Sequence, residues 1–114
     1  MRQRIYISGP LTSSGNVTEN LARAMSAARA LIEAGFAPFC PHLTYHVDPA
    51  CEYPHDLWME IELPWVAVAD AILRLPGESL GADLEAREAE RLGIPVFTTI
   101  EEMVAHFAVA GMAA

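Results

Sequence analysis

Residues Ala71–Thr99, AILRLPGESLGADLEAREAERLGIPVFTT, contain an apolar run, a glycine-bearing turn, a helical pattern and a second apolar run, in that order. AILRLP is continuously hydrophobic apart from Arg74, as expected of a strand covered on both faces. With Ala82–Leu92 wound at about 100° per residue, Ala82, Ala86, Ala89 and Leu92 gather on one side, and Asp83, Arg87, Glu90 and Arg91 on the other. Gly93 ends the helix, and IPVFTT supplies the next strand. A strand, helix and strand in so short a span predict a right-handed βαβ unit and a parallel sheet.

Glu85 falls on the alanine side of that helix. A stripe made mostly of alanine lets a helix lie close against its sheet. A carboxylate one turn from the helix start then sits where strand ends and helix starts converge, which is where open α/β sheets bind ligands. The competing reading is that Glu85 complements the positive end of the helix dipole.

The flanking sequence extends the same pattern. RIYISG reads as a first strand with glycine at its carboxyl end. Asn16 and Glu19 form a capping pair for a helix whose stripe is Leu21, Met25, Ala28 and Ile32, ended by Gly35. FAPFCP is a short second strand. Asp56 is placed to cap a helix through Leu57, Trp58 and Ile61, which Pro64 breaks or restarts before Asp70. Thr99 and Glu102 form a capping box for a last helix through Phe107. The expected fold is α/β: a single-domain, three-layer sandwich over residues 1–114, with a parallel sheet of four to five strands, Rossmann or flavodoxin-like.

Composition narrows the function. The chain has 114 residues, 53% of them hydrophobic, and a net charge of -8, so a folded core is expected and a face for binding nucleic acid is not. All 7 basic residues are arginine. The absence of lysine removes Schiff-base chemistry and the phosphate-gripping lysine of a P-loop. GPLTSSGN is therefore no Walker loop, nor is it a G-x-G-x-x-G dinucleotide turn. No apolar run approaches the length of a membrane helix, and MRQRIYISG leads into a strand and not into a signal sequence; a cytoplasmic protein without membrane contact is expected.

Cys40 and Cys51 read as reduced thiols. With His42, His46 and His55 they give CPHLTYHVDPACEYPH a set of soft ligands, but there is no C-x-x-C pair and the prolines imply an irregular loop. Surface histidines and half-buried thiols are preferred over zinc, and neither metal nor cofactor is expected. Trp58 and Trp65, seven apart on one helical face, read as core more readily than as base-stacking residues. Arg74 inside an apolar strand needs a partner, either a buried carboxylate or a substrate phosphate.

The carboxyl ends of the first and third strands carry two small polar turns, SGPLTSSGN and PGESLG, which together make a pocket. At the helix start, the amides of Ser79, Leu80 and Gly81 and the Ser79 hydroxyl could hold an anion or a sugar hydroxyl; an ordinary N-cap serine is the alternative. Tyr6, Ser8 and Glu85 belong to this pocket, with Glu62 and Asp70 as further acids. Several carboxylates with few cations suit an oxocarbenium-like transition state, in which one attacks or stabilises an anomeric carbon and another assists the leaving group. Asp70 as helix punctuation and Glu62 as a solvated helix residue are the alternatives.

IYISGP, the AD before AILRLP, and SLGADLE followed by LGIPV resemble the nucleoside 2-deoxyribosyltransferase family, including its 2′-deoxynucleoside 5′-phosphate N-hydrolase branch. LPGESLGADLE is similar to a small phage and bacterial branch of that superfamily, and the resemblance spans nearly the whole chain. It implies Glu85 as nucleophile, Tyr6 as its positioning partner, and Glu62 with Asp70 on the base side. It further implies Ser79 and Gly81 at a 5′-phosphate, Ser8 and Gly9 in the first-strand turn, and Trp65 as in the hydrolase branch. Two positions depart from the pattern: Glu62 stands where aspartate is usual, and Asp83 where the hydrolases carry glycine.

The implied activity is cleavage or transfer at the N-glycosidic bond of a 2′-deoxynucleoside or its 5′-monophosphate, in a homodimer or higher homo-oligomer. Water or a second base resolves the intermediate, and the sequence leaves hydrolase and transferase open. The long loop from His42 to His55 is expected to contribute to base selection. A phosphoribohydrolase with a P-G-G-x-G-T-x-x-E loop is a weaker match, because Glu78 replaces its second glycine and the final glutamate, Glu85, comes one residue late. A non-catalytic nucleotide- or nucleobase-binding module with the same pocket is the other alternative.

Overall fold

Alternation along the first strand sets the layers. In β1 (Arg4–Ser8), Ile5 and Ile7 point to one face and Tyr6 and Ser8 to the other, and all four are buried. Ile5 and Ile7 pack with Ala24 and Leu31 of α1 (Val17–Glu33) and Met103 of α4 (Ile100–Ala113). Tyr6 packs on the opposite face with Val66 of α2 (His55–Val66) and Ala89 of α3 (Leu80–Arg91). Two helices therefore cover each face of the sheet, giving three layers. The computed structural model describes residues 1–12 and 15–113.

The remaining strands are β2 (Ala37–Phe39), β3 (Ala71–Arg74) and β4 (Val96–Phe97). The sheet has 4 strands in the order β2-β1-β3-β4, and every pairing is parallel. After β1 the chain steps to β2 on one side, then crosses to β3 on the other. A crevice consequently opens at the carboxyl ends of β1 and β3, where Ser8 is in register with Arg74. Among the described residues no helix is long and apolar enough to cross a membrane.

Local signals place most boundaries. Asn16 accepts from the amides of Thr18 and Glu19 and caps α1. The Ser79 hydroxyl accepts from the Ala82 amide at 3.1 Å and caps α3. The Thr99 hydroxyl accepts from the Glu102 amide at 3.2 Å and donates to the Glu102 carboxylate at 2.9 Å. Gly35 and Gly93 hold the positive φ angles that follow α1 and α3.

Five details differ from the sequence reading. The buried residues of α1 are Asn20, Ala24 and Leu31, one position before the expected stripe, and Ile32 is half exposed; the Asn20 amide reaches the Leu11 carbonyl at 2.9 Å and turns that face inward. Leu92 caps α3 and is exposed, because the helix ends at Arg91. Pro54, not Asp56, occupies the N-cap of α2. Pro64 does not break that helix, which runs on to the fully buried Val66; the proline forgoes its own amide hydrogen bond, and the helix ends within the next turn. Residues Pro41–His46 form a 3₁₀ helix within what the sequence presents as loop.

Candidate active site

Two helices each carry one carboxylate on the stripe they turn inward. In α3 the buried positions are Ala82, Glu85 and Ala89. In α2 Met59 and Val66 are buried and Glu62 lies between them, partly buried. At this spacing both acids face the upper side of β1, where Tyr6 and Ser8 stand. Glu85 is 4% exposed. One of its oxygens accepts from the Tyr6 hydroxyl, the other from the Ser8 hydroxyl at 2.8 Å, and Glu62 lies within hydrogen-bonding reach. The dipole-complement reading of Glu85 does not account for this set of donors.

These contacts divide the protons. The Glu62 carboxyl is pushed up to about 8, first by burial and then by the charge of Glu85 and the hydrogen bond to it. Burial also raises Glu85, opposed by hydrogen bonds from Tyr6, Glu62 and Ser8 and by the nearby Arg74 charge. Two adjoining acids, Glu85 buried and Glu62 partly buried, hold one proton between them. Glu85 has two hydroxyl donors and so retains the charge, leaving the proton on Glu62. Tyr6 is lifted far above its ordinary value by burial and then by Glu85, so its hydroxyl remains a donor.

The two acids line a cleft of about 360 Å³. Gly9, Ser79 and Gly81 are also on its wall. A side chain at Gly9 would bring its Cβ to 2.8 Å from the Leu75 Cβ, so glycine there lets the ends of β1 and β3 come together. The rest of the wall is aromatic and polar: Tyr45, Tyr53 and Trp58, with His42, Asp48 and His55. His42 is buried and lowered by that burial. Its Nε2–H donates to the Pro10 carbonyl at 3.2 Å, leaving Nδ1 to face the Cys40 thiol at 3.7 Å.

Asp48 ties the loop that closes this wall. Its carboxylate accepts from the Glu52 amide at 2.8 Å, the Tyr53 amide at 3.1 Å and the Trp58 indole at 3.3 Å. Burial works against its charge, yet these three donors hold it below the usual range. The sequence reading missed this knot; the Asp-Pro pair followed by a tryptophan ten residues on was its only trace. Among the described residues no group of three or more His, Cys, Asp and Glu side chains is arranged to hold a metal ion.

Most of the residues expected at the site meet there: Tyr6, Ser8, Glu62 and Glu85 through their contacts, and Gly9, Ser79 and Gly81 on the cleft wall. Asp70 does not join them. It precedes β3, at the amino end of the sheet, where its carboxylate accepts from the Arg4 amide at 2.7 Å and faces the Arg4 guanidinium at 3.6 Å. The strand itself separates Asp70 from the crevice. Trp65 is also outside the cleft wall: it is half exposed and stacks on Phe39 at 5.2 Å, and Phe39 in turn stacks on Tyr6 at 5.8 Å. Trp58 lines the cleft instead. Arg74 finds its partner in Asp83 at 3.1 Å and donates to the carbonyls of Leu75 and Gly77. Ser13 and Ser14 of the first turn lie outside the described residues.

The four-stranded, all-parallel sheet with helices on both faces has a nucleoside 2-deoxyribosyltransferase-like fold, as its likeness to two solved structures shows. The 2-deoxyribosyltransferase of Bacillus psychrosaccharolyticus superposes with a TM-score of 0.61 and 23% identity, over 82% of this chain and 69% of that one. A conserved protein of Enterococcus faecalis V583 superposes with a TM-score of 0.64 and 22% identity, over 84% of this chain and 62% of that one. No curated protein matches the chain. By sequence it belongs to the family described as a domain of unknown function, DUF7768, which matches residues 3–99.

Proposed function

We propose that the protein breaks the N-glycosidic bond of a 2′-deoxynucleoside or its 5′-monophosphate, with Glu85 as nucleophile. The observation that carries this reading is the buried Glu85 carboxylate, held by Tyr6 and Ser8 with the second acid, Glu62, beside it. A Glu85 oxygen attacks C1′ as the bond from C1′ to the base nitrogen breaks, and the departing base takes the electron pair. Glu62, protonated at neutral pH, is placed to give that nitrogen its proton. The resulting glycosyl ester is opened by water, with the Glu62 carboxylate accepting a proton, or by the nitrogen of a second base. Tyr6 and Ser8 fix the attacking oxygens and stabilise their charge.

The likeness of fold to a 2-deoxyribosyltransferase agrees with this chemistry. A homo-oligomer belongs to the same proposal: Ile61, Trp65 and Val68 form an exposed apolar stripe on α2 and just beyond it. The test is chromatography of free base released from 2′-deoxynucleosides and their 5′-monophosphates, with and without an acceptor base. Release that disappears in Glu85→Gln supports the reading, and dependence on acceptor identifies a transferase. Nucleotide binding without any release would favour a non-catalytic binding module.

A further inference from the structure

Tyr6 holds Glu85 through a hydroxyl at the tip of a ring, so the aim of that bond depends on what fixes the ring. On β1 it is in register with Phe39 of the edge strand β2, and cross-strand partners leave the sheet on the same face. The two rings stack with centroids 5.8 Å apart and planes inclined by 25°. Trp65 of α2 continues the stack on Phe39, at 5.2 Å and 16°. Exposure rises outward, from 1% at Tyr6 to 41% at Phe39 and 51% at Trp65.

The stack also reaches the second acid. Trp65 follows Glu62 by three residues along α2, a spacing that puts both on one side of the helix. The outermost ring is thus anchored one turn beyond the acid that faces Glu85. Neither Phe39 nor Trp65 lines the cleft, so their effect on the chemistry runs through Tyr6 and Glu62. The aliphatic neighbours of Tyr6 on this face, Val66, Ile72 and Ala89, bury its ring, but they offer no flat surface to set its plane.

We infer that Phe39 and Trp65 are positioning residues for the two acids: their rings aim the Tyr6 hydroxyl at Glu85 and set the turn of α2 that carries Glu62. This rests on the glycosidic reading proposed above and adds to it two residues outside the cleft. A stacked aromatic pair biases the position of a ring by roughly threefold to tenfold. Losing the rings therefore lowers kcat by roughly that factor and leaves KM nearly unchanged, since Tyr6 and Glu62 act on bond cleavage. It also loosens the packing that keeps water from Glu62, whose carboxyl stands at about 8, so the stability lost with rising pH becomes smaller. The groups facing that carboxyl are Glu85 from α3 and Tyr6 from β1, with Ser8 and Arg74 on Glu85 and the Cys40 thiol by Tyr6. All of them are the same in every variant.

The experiment compares the wild type with Phe39→Leu and Trp65→Leu, which remove a ring, and with Phe39→Tyr and Trp65→Phe, which keep one. Initial rates of base release from a 2′-deoxynucleoside and its 5′-monophosphate give kcat and KM. Urea unfolding at mildly acidic and mildly alkaline pH gives the stability difference without substrate. The leucine variants are expected to lose roughly threefold to tenfold in kcat with KM within about twofold, and to lose less stability than the wild type as pH rises. The ring-keeping variants should match the wild type in both. Trp65 is half exposed, so Trp65→Leu carries the test if Phe39→Leu does not fold. Unchanged kcat in a folded leucine variant overturns the inference, as does an equal loss in the ring-keeping variants or a change confined to KM. If no protein releases base, the glycosidic reading fails and the stability profiles alone decide: a smaller loss only in the leucine variants supports the inference, and parallel profiles overturn it.

Discussion

Replacing Glu62 by glutamine tests the pair of acids through stability, independently of any substrate. The wild-type carboxyl rises from an ordinary 4.5 to about 8 on folding. Between those values the folded chain holds a proton that the unfolded chain has released, so stability is fully present below 4.5 and is lost as pH rises through about 8. The full shift corresponds to on the order of 5 kcal/mol. Sharing of the proton with Glu85 and partial solvent access reduce the expected loss to about 2 kcal/mol. Urea unfolding of both proteins across pH 5 to 8.5 provides the assay, and the difference between them cancels groups such as His42. The wild type should lose about 2 kcal/mol more than Glu62→Gln over this range. Parallel profiles would refute a buried, protonated Glu62.

Tyr6→Phe leaves one Glu85 oxygen without its donor while preserving the ring stack on Phe39; kcat/KM should fall about tenfold to a hundredfold, read from initial rates of base release. Gly9→Ala would bring a methyl carbon to 2.8 Å from the Leu75 Cβ, and urea midpoints should show a loss of about 1–3 kcal/mol. In Asp48→Ala the two loop amides and the Trp58 indole lose their acceptor. The aromatic wall should loosen, raising KM more than it lowers kcat in steady-state kinetics.

The sequence carried the fold where periodicity and punctuation coincide. Ser79 before an alanine stripe, Gly93 after it and an apolar run on each side define α3 and its neighbouring strands. Glu85 was legible for the same reason: a lone carboxylate among alanines breaks the pattern of a buried face. Asp70 shows where proximity in sequence misleads. It adjoins β3, but at the end opposite the crevice, and only strand direction separates the two. The tryptophans illustrate a similar limit. Seven residues apart predicts one face, yet Trp58 turns to Asp48 in the cleft while Trp65 stacks on Phe39 of the edge strand. Such partners are fixed by tertiary contacts that a helical repeat does not encode. The Asp48 knot and the 3₁₀ turn before it depend on hydrogen bonds within an irregular loop, for which the sequence offers no period to read.

The most direct measurement is mass spectrometry of protein quenched during turnover of a 2′-deoxynucleoside, followed by peptide mapping. The account predicts a deoxyribosyl increment on the peptide containing Glu85, absent in Glu85→Gln and lost once the substrate is exhausted and water or an added acceptor base has opened the ester. Base release without any adduct, undiminished in Glu85→Gln, would contradict it.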